Sequence, residues 1–267
     1  MDKSLLLIDT HCHLDVAAFD DDRADVLSRA RSAGVAGIVV PGIHAQGWGG
    51  LLNVCAAEPD LYPALGLHPV FIDRHGDADL DALARLLAEV SPLALGEIGL
   101  DFYVSGLDRD RQIAMFDAQL SIAHDAGLPV LLHVRKAHDQ TLAMLRQARV
   151  AGGIAHAFNG SLQQAKRYLD LGFKFGFGGM LTFVRSSKLR ALARDLPLDA
   201  IVLETDAPDL TVASHRGERN SPEYLPEVLA ALAEVREEGL AELARHTTQN
   251  ARAVLGLPSP NTSRGQA

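Results

Sequence analysis

Eight short apolar runs alternate with longer helix-patterned stretches, and this alternation restricts the fold more than any other feature of the chain. The runs fall at residues 5–9, 37–41, 62–67, 93–97, 130–133, 153–156, 173–177 and 201–204. Between them lie amphipathic stretches such as 20–33, 80–89, 109–126 and 162–171, and after the last run come 222–237 and 240–255. Glycine or proline follows many of the helical patterns, as at Gly34, at Gly127 with Pro129, and at Gly172. Alternating strands and helices argue for a parallel sheet with helices outside it. Eight strands in about 250 residues match a closed (β/α)8 TIM barrel. The doubly wound open sheet is the alternative, but no GxGxxG follows the first strand. One barrel domain is expected over 1–257, and the polar stretch 258–267 reads as a flexible tail.

At 267 residues the chain can bury a sizeable core, and 48% hydrophobic with 22% charged residues is ordinary for a soluble enzyme-sized domain. Two cysteines, Cys12 and Cys55, make no disulfide framework and fit a reducing cytoplasm. No basic region with a longer apolar core opens the chain, so no signal peptide is read there, and no apolar stretch reaches membrane-spanning length. A formal charge of −9 opposes a broad basic surface that coats nucleic acid. It leaves room for a local positive site built from metal ions and a few arginines.

In such barrels the chemistry sits at the carboxyl ends of the strands. The first run ends in Asp9-Thr10-His11-Cys12-His13, where alternation along a strand puts both imidazoles on one side and Cys12 on the other. His68 closes the third run, Glu97 and Asp101 the fourth, His133 the fifth, His156 the sixth, and Glu204 with Asp206 the eighth. About one of the 11 histidines would fall at strand ends by chance, which makes this clustering informative. Four histidines with two carboxylates give ligands for two divalent cations, Mg, Mn or Zn. The sensible division is His11, His13 and Asp206 at one cation and His133 with His156 at the other, with Glu97 bridging. Water on such a cation is acidic near neutral pH, and Asp206 is placed to orient it and take its proton.

Together these blocks resemble the TatD-type deoxyribonuclease family of the amidohydrolase-like barrels. The matching pieces are Asp9-Thr-His-Cys-His-Leu14, Gly66-Leu-His-Pro69, Gly96-Glu-Ile-Gly-Leu-Asp101, Leu132-His133, His156-Ala-Phe158, Glu204-Thr-Asp-Ala-Pro208 and Arg216-Gly-Glu-Arg-Asn220, and 247–251 continues the likeness. The resemblance implies a metal-dependent hydrolase cleaving phosphodiester bonds of DNA. His11, His13, Glu97, His133, His156 and Asp206 would hold the metal, and Glu97 and Asp206 would be catalytic. His68, Arg135, Arg216 and Arg219 are candidate substrate contacts; neither a membrane nor a protein partner is indicated. Two other classes stay open at this stage: a relative acting on an ester, lactone or amide, and a barrel that binds metal without turnover. Relatives with amide chemistry often carry a strand-four lysine, and here Lys136 and Lys174 lie elsewhere.

Overall fold

The computed structural model describes residues 5–257, so the tail expected at 258–267 lies outside the described residues. The strands are β1 (Leu7–Asp9), β2 (Val35–Pro41), β3 (Leu61–Leu65), β4 (Ala94–Asp101), β5 (Val130–Arg135), β6 (Gly153–Ala155), β7 (Phe173–Phe177) and β8 (Ile201–Leu203). Each pairs in parallel with the next in chain order. The Thr10 amide donates to the Leu203 carbonyl at 3.0 Å, which brings the last strand against the first and curls the sheet into the expected TIM barrel.

One helix follows each strand: α1 (Arg23–Ser32), α2 (Trp48–Ala57), α3 (Asp77–Val90), α4 (Arg109–Ala126), α5 (His138–Ala148), α6 (Leu162–Leu169), α7 (Ser187–Asp195) and α8 (Leu225–Arg236). A final helix, α9 (Leu240–Leu255), is added after the barrel closes. Helix α4 shows how the sequence sets these limits. The Asp108 side chain caps it by accepting from the Arg111 amide, Met115, Phe116, Leu120 and Ala123 bury one flank, and Gly127 ends it at φ 65°. Helix α2 is harder to read from sequence because Gly49 and Gly50 sit in its first turn; burial of Trp48, Leu51 and Cys55 outweighs their poor helix propensity.

Two apolar clusters hold the molecule together. The larger packs the outer faces of the strands against the helices. The smaller takes Ile8, Val39, Ala64, Ala94, Leu131, Ile154 and Val202, one from each of seven strands, which only the inside of a closed barrel brings together. Ala251, Leu255 and Leu257 complete it. Two residues beyond Leu131, Ile154 and Val202, and therefore on the same inward face, come His133, His156 and Glu204.

Strand β4 departs from this simple alternation. Leu95 pairs with Val130 but Ile98 pairs with Leu132, so β4 carries one residue more than its neighbour. That bulge re-aims the strand, which runs on to Asp101 instead of stopping near Glu97. Among the described residues no helix is long and apolar enough to cross a membrane.

Candidate metal centre

Glu97 lies at the centre of the upper barrel, its side chain almost fully buried, with the two carboxylate oxygens facing different groups. Oε2 is 3.2 Å from His11 Nε2 and 3.6 Å from His13 Nε2. Oε1 is 3.1 Å from His133 Nδ1, 3.3 Å from His68 Nε2 and 3.9 Å from His156 Nε2. Across from it, Asp206 Oδ1 stands 3.8 Å from His11 Nε2 and 3.7 Å from His13 Nε2, and its Oδ2 lies 3.8 Å from His156 Nε2. Donors about 2.1 Å from a tetrahedral ion are themselves roughly 3.4 Å apart, so these spacings suit ligands around a small divalent cation.

The six residues expected to bind metal therefore meet in one place. His11, His13 and Asp206 form one three-donor group. His133 groups with Glu97 and His68, while His156 groups with Glu97 and His11 and stacks its ring on that of His11 at 3.8 Å.

The remote nitrogen of most of these rings is tied down, which fixes the nitrogen that faces the centre. His13 Nδ1 donates to the Pro41 carbonyl, His133 Nε2 to Asp101 Oδ2 at 2.9 Å, and His156 Nδ1 to Glu204 Oε1 at 3.0 Å. Each ring so held presents its lone pair inward in the neutral form, the form that can bind a cation. His133 Nδ1 then points a lone pair at a carboxylate oxygen, a repulsive contact unless a cation or a proton lies between them. Among the described residues His11 Nδ1 is buried without a partner.

Ionisation follows the same pattern. Burial opposes charge on Glu97, but His68 and His11 outweigh it and hold the carboxyl well below its usual range. Burial also disfavours protonated His156, yet Glu204, Asp206 and Glu97 push its pKa up to about 10. His133 is raised as well: burial is overcome by hydrogen bonds to Asp101 and Glu97. His11 and His68 go the other way, lowered chiefly by burial, His68 to about 4. The ionised carboxylates Glu97, Asp101 and Glu204 thus outnumber the two imidazoles whose proton affinity they raise, His133 and His156, which leaves the negative surplus that suits a site for cations.

The backbone at Asp206 is locked in place. It takes the left-handed conformation at φ 59°, uncommon for a residue with a side chain and costing on the order of 1 kcal/mol or more. Its amide donates to the His11 carbonyl at 2.8 Å, the His13 amide donates to the Ala207 carbonyl at 2.8 Å, and Asp9 accepts from the Thr205 amide and hydroxyl and from the His11 amide. The ends of β1 and β8 thus carry their side chains as one unit. Burial raises Asp9 itself to about 7.

Asp101, Glu204 and Gly176 support the site in ways that sequence reasoning did not assign. Asp101 is on the inward face of β4 with its Oδ1 accepting from the amides of Tyr103 and Val104. Burial opposes its ionisation, but the His133 bond and those amides bring its pKa down to about 2. Its parity with Glu97 along the strand was the available signal. Glu204 receives His156 and the Ala157 amide, and a Cβ at Gly176 would lie 1.9 Å from Glu204 Oε2. The glycine-rich run of β7 is therefore structural, leaving space for the carboxylate that orients His156. Gly176→Ala should displace Glu204 and weaken metal affinity about 10- to 100-fold, read by chelator competition; unchanged affinity would contradict that role.

A groove of about 1240 Å³ opens from His133, His156 and Asp206 across the ends of β4 to β7. Arg135, Lys136, Arg185 and Lys188 lie along it. Arg135 stacks over the exposed ring of Tyr103 at 3.9 Å, and Lys136 adopts φ 58°. Arg219 instead forms a bidentate pair with Asp22 and covers Phe19, tying the loop after β8 to the segment before α1. Arg216 is exposed on that loop and does not line the groove. Trp48 and Phe158 are buried packing residues, and burial keeps Cys12 a protonated, unreactive thiol.

The model of the family described as TatD related DNase matches residues 8–256. The uncharacterized metal-dependent hydrolase YjjV of Escherichia coli K12 is 39% identical over 254 residues, covering 94% of this chain and 98% of that protein. The 3'-5' ssDNA/RNA exonuclease TatD of Klebsiella pneumoniae is 33% identical over 258 residues, covering 94% and 98% respectively. The crystal structure of YjjV, a TatD homologue, superposes with a TM-score of 0.91 over 94% of this chain and 98% of that one.

Proposed function

Because the chain belongs to the TatD-related DNase family, we propose that it is a metal-dependent hydrolase that cleaves phosphodiester bonds of DNA at a centre for two divalent cations. The observation that carries this reading is Glu97: one buried carboxylate offers Oε2 to His11 and His13 and Oε1 to His133 and His156. The donors are all imidazole and carboxylate, which fits Mg, Mn or Zn. Such cations supply Lewis acidity and make bound water acidic enough to lose a proton near neutral pH.

The rest of the chemistry falls to the chain's own groups. Asp206, partly open to the groove and fixed by its backbone, takes the proton of the attacking water. The water oxygen bonds to phosphorus, the P–O bond to the sugar oxygen breaks, and that oxygen is protonated from solvent. Asp101 and Glu204 keep His133 and His156 facing the reaction. The groove's cations give a chain of net charge −9 a local seat for a polyanion, and Tyr103 offers a flat face beside it. The strand-four position that carries a lysine in many amide-hydrolysing relatives holds no lysine here, which disfavours amide chemistry. Both cysteines are free and buried, in keeping with a cytoplasmic setting.

A panel of end-labelled single- and double-stranded DNA beside simple esters and lactones, each with Mg²⁺, Mn²⁺ or Zn²⁺, tests the assignment. DNA should give the highest kcat/KM; a higher value for an ester or lactone would move the protein to the neighbouring class. Arg135→Ala and Lys136→Ala should each raise KM for DNA with little change in kcat. Each should also flatten the slope of log(kcat/KM) against log[salt] by about 0.7 for every phosphate of a single strand that the removed cation had neutralised. An unaltered salt slope in both variants would remove them from the substrate track.

A further inference from the structure

His68 differs from the other histidines of the centre in one respect, the bond made by its remote nitrogen. His13, His133 and His156 each direct that nitrogen at an oxygen that can only accept, namely the Pro41 carbonyl, Asp101 and Glu204. His68 Nδ1 instead faces the backbone amide of Val70 at 3.1 Å, and an amide N–H can only donate. The ring's single lone pair is therefore taken by Val70, and Nε2 must carry the hydrogen. Flipping the ring would turn carbon toward the Val70 amide and lose the bond. The backbone is pinned too: the His68 amide donates to the Ile43 carbonyl at 3.0 Å, and its own carbonyl receives His75 Nε2 at 3.0 Å.

An Nε2 that carries hydrogen has no lone pair to give a cation. Proximity alone groups His68 with Glu97 and His133 as a three-donor set, but the hydrogen bond from Val70 removes it from that set. We propose that His68 is a positioning residue and not a metal ligand: its Nε2–H donates to Glu97 Oε1, 3.3 Å away, and holds the bridging carboxylate in place. The proposal rests on the two-cation reading only for what Glu97 bridges; the hydrogen on Nε2 follows from Val70 alone. A second consequence concerns the metals. A cation on the Oε1 side would have His133, Glu97 and the more distant His156 to hold it, whereas one on the other side would have His11, His13, Glu97 and Asp206. With fewer donors, the Oε1 side would be the weaker of the two.

The test counts metal in the purified protein after reconstitution with Mn²⁺, using elemental analysis and Mn²⁺ titration. The variants are His68→Ala, His68→Gln and, as control, His133→Ala. A glutamine can accept from the Val70 amide through its oxygen and donate to Glu97 through its nitrogen. Both His68 variants should keep the wild-type metal count while His133→Ala loses one equivalent. His68→Ala should lower kcat about 10- to 100-fold and His68→Gln restore most of it. Loss of one equivalent in His68→Gln, matching His133→Ala, would make His68 a ligand and overturn the proposal. If His68→Ala does not fold, the glutamine variant decides alone. A wild-type protein that takes up a single equivalent contradicts the two-cation reading, and His68 is then judged by whether that equivalent survives its replacement.

Discussion

Glu97→Ala should abolish phosphodiester cleavage, with kcat reduced on the order of 10⁴-fold or more, because the residue serves both halves of the centre at once. His11, His13, His68, His133 and His156 all lie within 4 Å of its two oxygens. Removing it leaves a buried cluster of imidazoles with Asp206 as the carboxylate directly opposite. Mutual repulsion then drives those rings toward neutrality, and neither cation has its shared ligand. Metal content should fall with activity, and circular dichroism should show the barrel still folded, since the strands are held by packing remote from Glu97. Undiminished cleavage by a folded Glu97→Ala protein would exclude this centre as the seat of the reaction.

Asp206→Asn should lower kcat about 10³-fold with a much smaller change in KM. Asparagine keeps the size and one oxygen, so the left-handed backbone at this position remains accessible, asparagine being among the few residues that tolerate it. The loss is chemical: the amide cannot take the proton of the attacking water, and it brings no negative charge to the His11 and His13 side. Steady-state kinetics across several DNA concentrations separates the two parameters. A large rise in KM with kcat preserved would make Asp206 a binding residue instead of the base.

Protons and cations compete for the same nitrogens, which gives the centre a defined pH response. His156 is protonated up to about pH 10 in the metal-free protein because Glu204, Asp206 and Glu97 outweigh its burial. Metal binding at neutral pH must therefore expel a proton from it, and affinity weakens as pH falls.

Much of the centre could be read in the sequence because a barrel turns a one-dimensional pattern into a ring. Once the eight runs are taken as strands, His11, His133, His156 and Asp206 converge without any knowledge of packing. The inward aim of Glu97 was less legible, since it depends on one extra residue in β4 that shows only in the pairing with β5. Whether a histidine offers a lone pair or a hydrogen was not legible at all. That depends on Val70, Asp101 and Glu204, whose geometry relative to the rings is set by the fold. Arg219 shows the same limit from the other side: its ion-pair partner Asp22 lies 197 positions away, which local sequence had no means of anticipating.

The most direct test of a two-cation phosphodiesterase is cleavage of end-labelled single-stranded DNA by metal-stripped protein as Mn²⁺ is added in equivalents. Little turnover is expected over the first equivalent, which fills the His11–His13–Asp206 side, followed by a steep rise with the second. Full activity at one equivalent, or no cleavage at any metal concentration, would contradict a two-cation phosphodiesterase.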